Sequence, residues 1–209
     1  MKREEKNQQS RQKIMDAAIK EFGDKNYAEA SLNTICKRGE ISKGIIYHYF
    51  EDKDELFLAC VKECFDALTA HLKKQISMDG DPIEQVLKQY FDTRLAFFDQ
   101  NPLYLKLFFS AVIMPPPHLM DAISEIRKDF DALNVSVFTS LLQRVPLRSD
   151  ITIEEVIDEF KLYQDFVNTQ YQMRTIRQAQ DDMKEHERQC SRSLGILLYG
   201  VIAREKEKL

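Results

Sequence analysis

Small polar residues able to cap a helix recur along this chain at spacings that leave no room for a sheet. Ser10, Ser31, Ser42, Asp52 with Glu55, Asp81 with Pro82 and Glu84, Asn101 with Pro102, and Thr152 with Glu155 each offer a side-chain oxygen to an orphan amide. Several carry Glu at the third position or Pro at the first. Between them apolar residues return at three and four, and sustained alternation of period two is absent. The pattern predicts an all-α protein of about nine helices, broken at Gly80, at Pro115-Pro116-Pro117 and around Pro146, with no internal repeat.

The composition, 44% hydrophobic and 31% charged over 209 residues, is that of a globular protein. The longest apolar stretch, Leu194 to Ala203, falls short of the ~20 residues of a spanning helix, and the N-terminus is charged, so no membrane segment and a cytoplasmic location are expected. Four scattered cysteines in a chain this long read as reduced thiols. Net charge is −4, which argues against a general nucleic-acid coat. The charge is uneven, however: residues 1–53 hold eleven Lys/Arg against nine Asp/Glu, leaving 19 against 25 in the remainder.

The positive end is also the most tightly organised. A first helix carries Ile14, Ala17, Ala18 and Phe22 on one stripe and ends near Asn26. Two short helices, roughly 32–38 and 43–49, follow with Gly39-Glu40-Ile41 between them, the dimension of a helix-turn-helix. Residues 1–53 are therefore expected to form a three-helix helix-turn-helix domain, and residues 54–209 a larger helical domain for ligand binding and dimerisation.

The string Ile14 to Phe22 with Tyr27, then Ile35, then Ile41-Ser42-Lys43-Gly44-Ile45-Ile46-Tyr47-His48-Tyr49-Phe50 and Lys53-Asp54-Glu55-Leu56-Phe57 resembles the DNA-binding domain of the TetR (tetracycline-repressor-like) family. It covers about a quarter of the chain. The resemblance implies a dimeric repressor, occasionally an activator, released from a double-stranded DNA operator by a small molecule. Two departures stand out. Gly39-Glu40 replaces the family's Ala-Gly, placing a side chain where positive φ is expected at a cost of roughly 1 kcal/mol. Ile45 stands where the family often has Thr, which points to an apolar contact such as a thymine methyl.

Ser31 and Ser42 cap helices whose N-terminal ends face phosphates in this reading, and Lys53 does likewise. Lys43, Gly44 and Ile45 are candidates for base edges. Tyr47, His48 and Tyr49 are candidates for phosphate or sugar contact, and Phe50 packs inward. For Tyr47 a core position between two helices is the alternative. The Lys2, Arg3, Lys6, Arg11 arm either enters a minor groove or is a solvated tail.

In the remainder, a helix from Lys53 to about Ile76 turns Phe57, Val61, Cys64 and Leu68 inward. Cys60 and Cys64 share a face with His71, but seven residues of helix put His71 ~10 Å beyond Cys64, so core thiols are expected and no metal or cofactor. The helix from Pro82 to about Gln100 holds Arg94 within an apolar stripe, either salt-bridged to an acid on a neighbouring helix or contacting an anionic or polar ligand. A helix from Pro102 to Ile113 is apolar nearly all round, and a seventh presents Leu119 to Leu141. Tyr90, Phe91, Arg94, Phe98, Tyr104, Phe108, Tyr163, Phe166 and Asn168 are candidates for an adaptable pocket for a lipophilic effector, against an ordinary core.

The eighth helix has two apolar stripes, one of Ile153, Val156, Ile157, Phe160, Tyr163 and Val167, the other of Leu162, Phe166, Thr169, Met173 and Ile176. The ninth, about Asp182 to Glu205, carries Leu194, Leu197, Leu198, Val201 and Ile202, with Gly195 and Gly200 allowing close backbone approach. Two faces need two partners, so helices eight and nine are expected to form a four-helix homodimer interface. Function is then expected to be ligand-responsive regulation of transcription at a pseudo-palindromic operator. The alternative is a helical ligand-binding or scaffold protein without DNA function. An enzyme is disfavoured, because His48, His71, His118 and His186 are dispersed with no carboxylate or nucleophile motif beside them.

Overall fold

The computed structural model describes residues 2–76, 82–177 and 183–201; the side chains of residues 2–4, 174–177, 183, 184 and 201 are outside the description. The expected caps at Asp81 and the start of the last helix at Asp182 fall outside these residues. The architecture is all-α. It comprises α1 (Lys2–Asp24), α2 (Leu32–Gly39), α3 (Lys43–Tyr49), α4 (Lys53–Gln75), α5 (Ile83–Gln100), α6 (Pro102–Val112), a 3-10 turn (Pro117–Leu119), α7 (Met120–Ile126), α8 (Lys128–Leu142), α9 (Ile153–Arg177) and α10 (Met183–Val201), with no strand among the described residues.

Among the described residues ten α-helices replace the nine expected, because the long seventh helix is divided. Arg127, with ψ of −2°, ends α7, and α8 restarts at Lys128 with Asp129 and Asp131 in its first turn. Ile123, Phe130 and Val137 are buried on both sides of this break, so the apolar period runs through it and gives no sign of it. A second correction concerns Ser10, which lies inside α1 and does not begin it. Residues 2–9 are mostly good helix formers without Gly or Pro, so the helix extends upstream of the apolar stripe.

Most of the other caps form. Ser31 accepts from the Asn33 amide at 3.2 Å, Asp52 from Glu55 at 2.8 Å, and Thr152 and Glu155 bond reciprocally in a capping box. Asn101 makes no capping bond, and α6 instead starts on Pro102.

Packing divides the chain into two compact units, Met1–Ala67 with Phe98–Lys128, and Leu68–Phe97 with Asp129–Leu209. In the first, α6 lies so close to α1 that a Cβ on Gly23 would come within 2.9 Å of Leu103. Ile14, Ala18 and Phe22 of α1 are buried, and Phe22 and Tyr27 each meet Phe57 of α4 edge to face at 5.0 Å. Tyr27 donates to Asp54, whose other oxygen lies 3.1 Å from His118 Nε2, so the first turn of α4 is tied to the 3-10 turn. In the second unit α5, α8, α9 and α10 bury Val86, Phe91, Phe138, Val167, Leu194 and Leu198. Each such side chain contributes about 1.5–3 kcal/mol by leaving water.

Cys60 and Cys64 are both fully buried and unpaired, and burial pushes both thiols well above their ordinary range.

Candidate functional site

The turn between α2 and α3 is closed by the Ile41 amide donating to the Cys36 carbonyl at 2.9 Å. Glu40 occupies it at φ 50°, ψ 44°, the left-handed conformation anticipated at this position. The glycine sits one residue earlier for a packing reason. A Cβ on Gly39 would stand 2.5 Å from Ile41 Cδ1 and 3.2 Å from Ala17 Cβ.

From this turn α3 leaves with one side held and the other open. Ile46 and Phe50 are buried beneath it, while Ser42, Lys43, Gly44, Ile45, Tyr47 and His48 are exposed. Ile45 and Tyr47 are 43% and 49% accessible, values that place two large apolar side chains in water and remove Tyr47 from the core. Lys43 Nζ lies 5.9 Å from the Tyr47 ring centre, and nothing lies within 4 Å of the position a Gly44 Cβ would take. The Ser42 hydroxyl accepts from the Ile45 amide at 3.4 Å. Tyr49 is different: it is half-buried and its hydroxyl donates to Asn7 of α1. Lys53 is also half-buried, its ammonium 4.3 Å over the Tyr27 ring, and burial pushes it below its ordinary pKa. Of the arm, Lys6 is exposed, and Arg11 lies 5.4 Å over the Phe50 ring from within α1.

One residue that orients this unit escaped the sequence reading. Glu21, fully buried, accepts from the Ser31 amide at 3.2 Å and pairs with Lys25 at 3.2 Å and with Arg38 at 3.6 Å. It fixes the start and the end of α2 against α1. Its position three and four residues beyond Ala18 and Ala17, inside the apolar stripe, was the available signal. Arg38 also bonds Asp24 at 2.8 Å and holds that carboxyl below its ordinary pKa.

The second unit contains a cavity lined by α5, α8, α9 and α10. Of the residues anticipated for a pocket, it brings together Tyr90, Phe91, Arg94 and Tyr163. It adds Leu87, Asn134, Phe138, Phe160, Gln164 and Cys190, which become neighbours only when the helices pack. Arg94 takes the salt-bridge reading. Its Nη2 is 3.0 Å from Glu187 of α10, and the two side chains are 5% and 1% exposed. The guanidinium is also within 6 Å of the rings of Tyr90, Phe91 and Phe130. Burial pushes Glu187 up, but Arg94 and the neighbouring His186 outweigh it and hold the carboxyl below its ordinary value. Burial and Glu187 push the Cys190 thiol up to about 12, so it is uncharged near neutrality.

Other pocket candidates lie elsewhere. Phe98 and Phe108 pack on each other at 5.2 Å in the core of the first unit, where Tyr104 donates to Glu63 at 2.8 Å. Their apolar spacing was core spacing. Phe166 is 58% exposed on α9, and Asn168 accepts from His186 at 2.9 Å.

Residues 14–60 match the model of the bacterial regulatory proteins of the tetR family. The chain is 27% identical over 135 residues to the negative transcriptional regulator IcaR of the biofilm operon icaADBC of Staphylococcus epidermidis, a match covering 63% of this chain and 66% of that protein. It is 29% identical over 79 residues to the transcriptional regulator HbdR of an Aromatoleum species, covering 38% of this chain and 34% of the relative. The chain thus spans under two thirds of the length of these curated relatives. Its fold is that of the transcriptional regulator FadR from Bacillus subtilis, solved in complex with stearoyl-CoA, with a TM-score of 0.66 at 16% identity over 88% of this chain and 96% of that one.

Proposed function

This chain belongs to the tetR family of bacterial regulatory proteins, and from that premise we propose that it is a DNA-binding transcriptional regulator, a repressor released from a pseudo-palindromic operator by a small lipophilic molecule. The relatives it matches are regulators, which agrees with a non-enzymatic role. Among the described residues no helix is long and apolar enough to cross a membrane.

The observation that carries the reading is the open face of α3, where Lys43, Gly44, Ile45, Tyr47 and His48 stand in solvent above the buried Ile46 and Phe50. A short helix held on one side, with a cation, a glycine and aromatic and apolar side chains on its free side, fits insertion into a major groove. Lys43 is the donor for a guanine edge and Ile45 the contact for a thymine methyl; Ser31, Ser42, Tyr47, His48, Tyr49 and Lys53 set register on phosphates and sugars. For Tyr49 and Lys53 this role begins from their contacts with Asn7 and Tyr27 in the free protein. The alternative is a ligand-binding or scaffold protein without DNA function, suggested by the Glu40 departure; operator binding decides against it, and the turn around Glu40 is closed in the left-handed conformation that a helix-turn-helix uses. Electrophoretic mobility of the fragment upstream of its own gene is expected to lose binding by tenfold or more with Lys43→Ala and with Tyr47→Ala. Unchanged binding in both variants rejects this reading helix.

A homodimer through α9 and α10, the eighth and ninth helices of the sequence count, completes the proposal. Val156, Ile157 and Val167 of the first α9 stripe are buried, whereas Leu162, Phe166 and Met173 of the second are exposed with Ile196 and Tyr199 of α10. Outside their own helix backbone and chain neighbours, nothing lies within 4 Å of a Cβ built on Gly195 or Gly200, so both leave open space along α10. Such a face suits burial against a two-fold mate. Sedimentation is expected to give a dimer at micromolar concentration and a monomer for Phe166→Asp combined with Tyr199→Asp; a wild-type monomer discards the interface.

A further inference from the structure

The reading of the second unit as an effector site leaves the chemistry of the effector open, and the cavity wall constrains it. Arg94 is the only ionised side chain on that wall among the described residues; Glu187 and His186 stand behind it and do not line the space. The remaining polar groups are neutral, namely the amides of Asn134 and Gln164, the Tyr90 and Tyr163 hydroxyls, and the Cys190 thiol held protonated by its raised pKa. Rings of Phe91, Phe138 and Phe160 make up much of the rest.

Resting on that reading, we propose that the effector is an amphipathic monoanion, an aryl or acyl carboxylate, whose charged group is taken by Arg94 while its apolar body lies among the phenylalanines. A guanidinium matches a carboxylate in shape as well as in charge, and in a site this dry a charge-assisted bond discriminates strongly. A cationic ligand would meet Arg94 with like charge. Glu187 stands behind the guanidinium, 3.7 Å from His186 Nδ1.

Room is made along α5. The cavity itself holds about 30 Å³, enough for a water or two, but an adjacent hollow of about 160 Å³ opens beside Ile83, Leu198, Glu84 and Lys88, the last paired with Asp92 at its outer side. Leu87 is the one residue that lines both, so its side chain is where the apolar body of a ligand would pass from one to the other.

The test titrates the full-length protein calorimetrically with phenylbutyrate, its uncharged amide and phenylbutylammonium, three probes alike in ring and chain and unlike in charge. Phenylbutyrate is expected to bind about ten- to a hundredfold tighter than the amide, with the ammonium weakest. In Arg94→Gln with Glu187→Gln, which removes both charges and spares the interior an unpaired one, the amide keeps its affinity and the carboxylate loses its advantage. Equal binding of carboxylate and amide, a tightest ammonium, or a carboxylate preference that survives the double variant overturns the charge assignment and leaves the effector site standing. No heat from any probe overturns the inference together with this cavity as the effector site, while DNA binding is judged separately by the α3 variants.

Discussion

Glu21 in one compact unit and Glu187 in the other are both carboxylates withdrawn from water, yet they keep different company. Glu21 is met by a backbone amide and by two cations, Lys25 and Arg38, whose side chains remain 40% and 32% exposed. The cations stay hydrated, so the cost of burial falls on one group, and the carboxylate spends its bonds on fixing α2 against α1. Glu187 faces Arg94 with neither in contact with water. There both charges are desolvated, and each is the other's main electrostatic partner, with His186 beside the carboxylate and Tyr90 beside the guanidinium. The first arrangement ties α2 to α1; the second places a charge on the wall of a cavity.

The sharpest way to break this contrast is to remove one partner from each pair. Arg94→Gln leaves Glu187 buried without its guanidinium, and is expected to cost about 3–5 kcal/mol. By calorimetry that is an unfolding midpoint lower by about 10 °C. Adding Glu187→Gln is expected to recover most of the loss. If the double variant is as unstable as the single one, the pair is not held by mutual charge. Arg38→Ala should cost about 1 kcal/mol, since Glu21 retains Lys25 and the Ser31 amide.

Acid sharpens the same comparison. Glu187 has a folded pKa below its ordinary 4.5. Its contribution is therefore complete above about pH 4.5 and is lost as pH falls through the lower folded value. Thermal unfolding followed from pH 7 to pH 3 should lose stability in that window, and the double variant should lose less. A double variant with an unchanged acid profile assigns the transition to other carboxylates.

The smallest effect is a gain. Glu40→Gly relieves a side chain at φ 50°, and is expected to stabilise the first unit by about 0.5 kcal/mol, the strain relieved exceeding the freedom gained by the unfolded chain. Denaturant unfolding measures it, and a loss of stability would mean that Glu40 makes a contact worth more than its strain.

Much of the fold was legible because caps and apolar periods are local. Ser31, Asp52 and Thr152 cap where their side chains predicted, and the Glu40 conformation followed from a three-residue turn. The division between α7 and α8 was hidden because an interruption of the ladder at Arg127 leaves the spacing of buried residues intact. In the cavity, Tyr90, Phe91 and Arg94 share one helix and were readable as a group. Phe98 belongs to the same stripe but falls in the other unit, and nothing in a period of 3.6 says where one core ends and the next begins. Asn134, Gln164 and Cys190 come from three helices and carry no common signal.

Short-range chemistry settled the secondary structure and the helix-turn-helix of this protein, because hydrogen-bond caps, turn conformations and amphipathic stripes depend on residues within a few positions of one another. Only the packed chain decided that Arg94 meets Glu187, ninety-three residues away. It also decided that one stripe of α9 is buried while the other faces solvent. Those outcomes depend on which surfaces remain after every helix has found its neighbours, a property of the whole chain that no local pattern encodes.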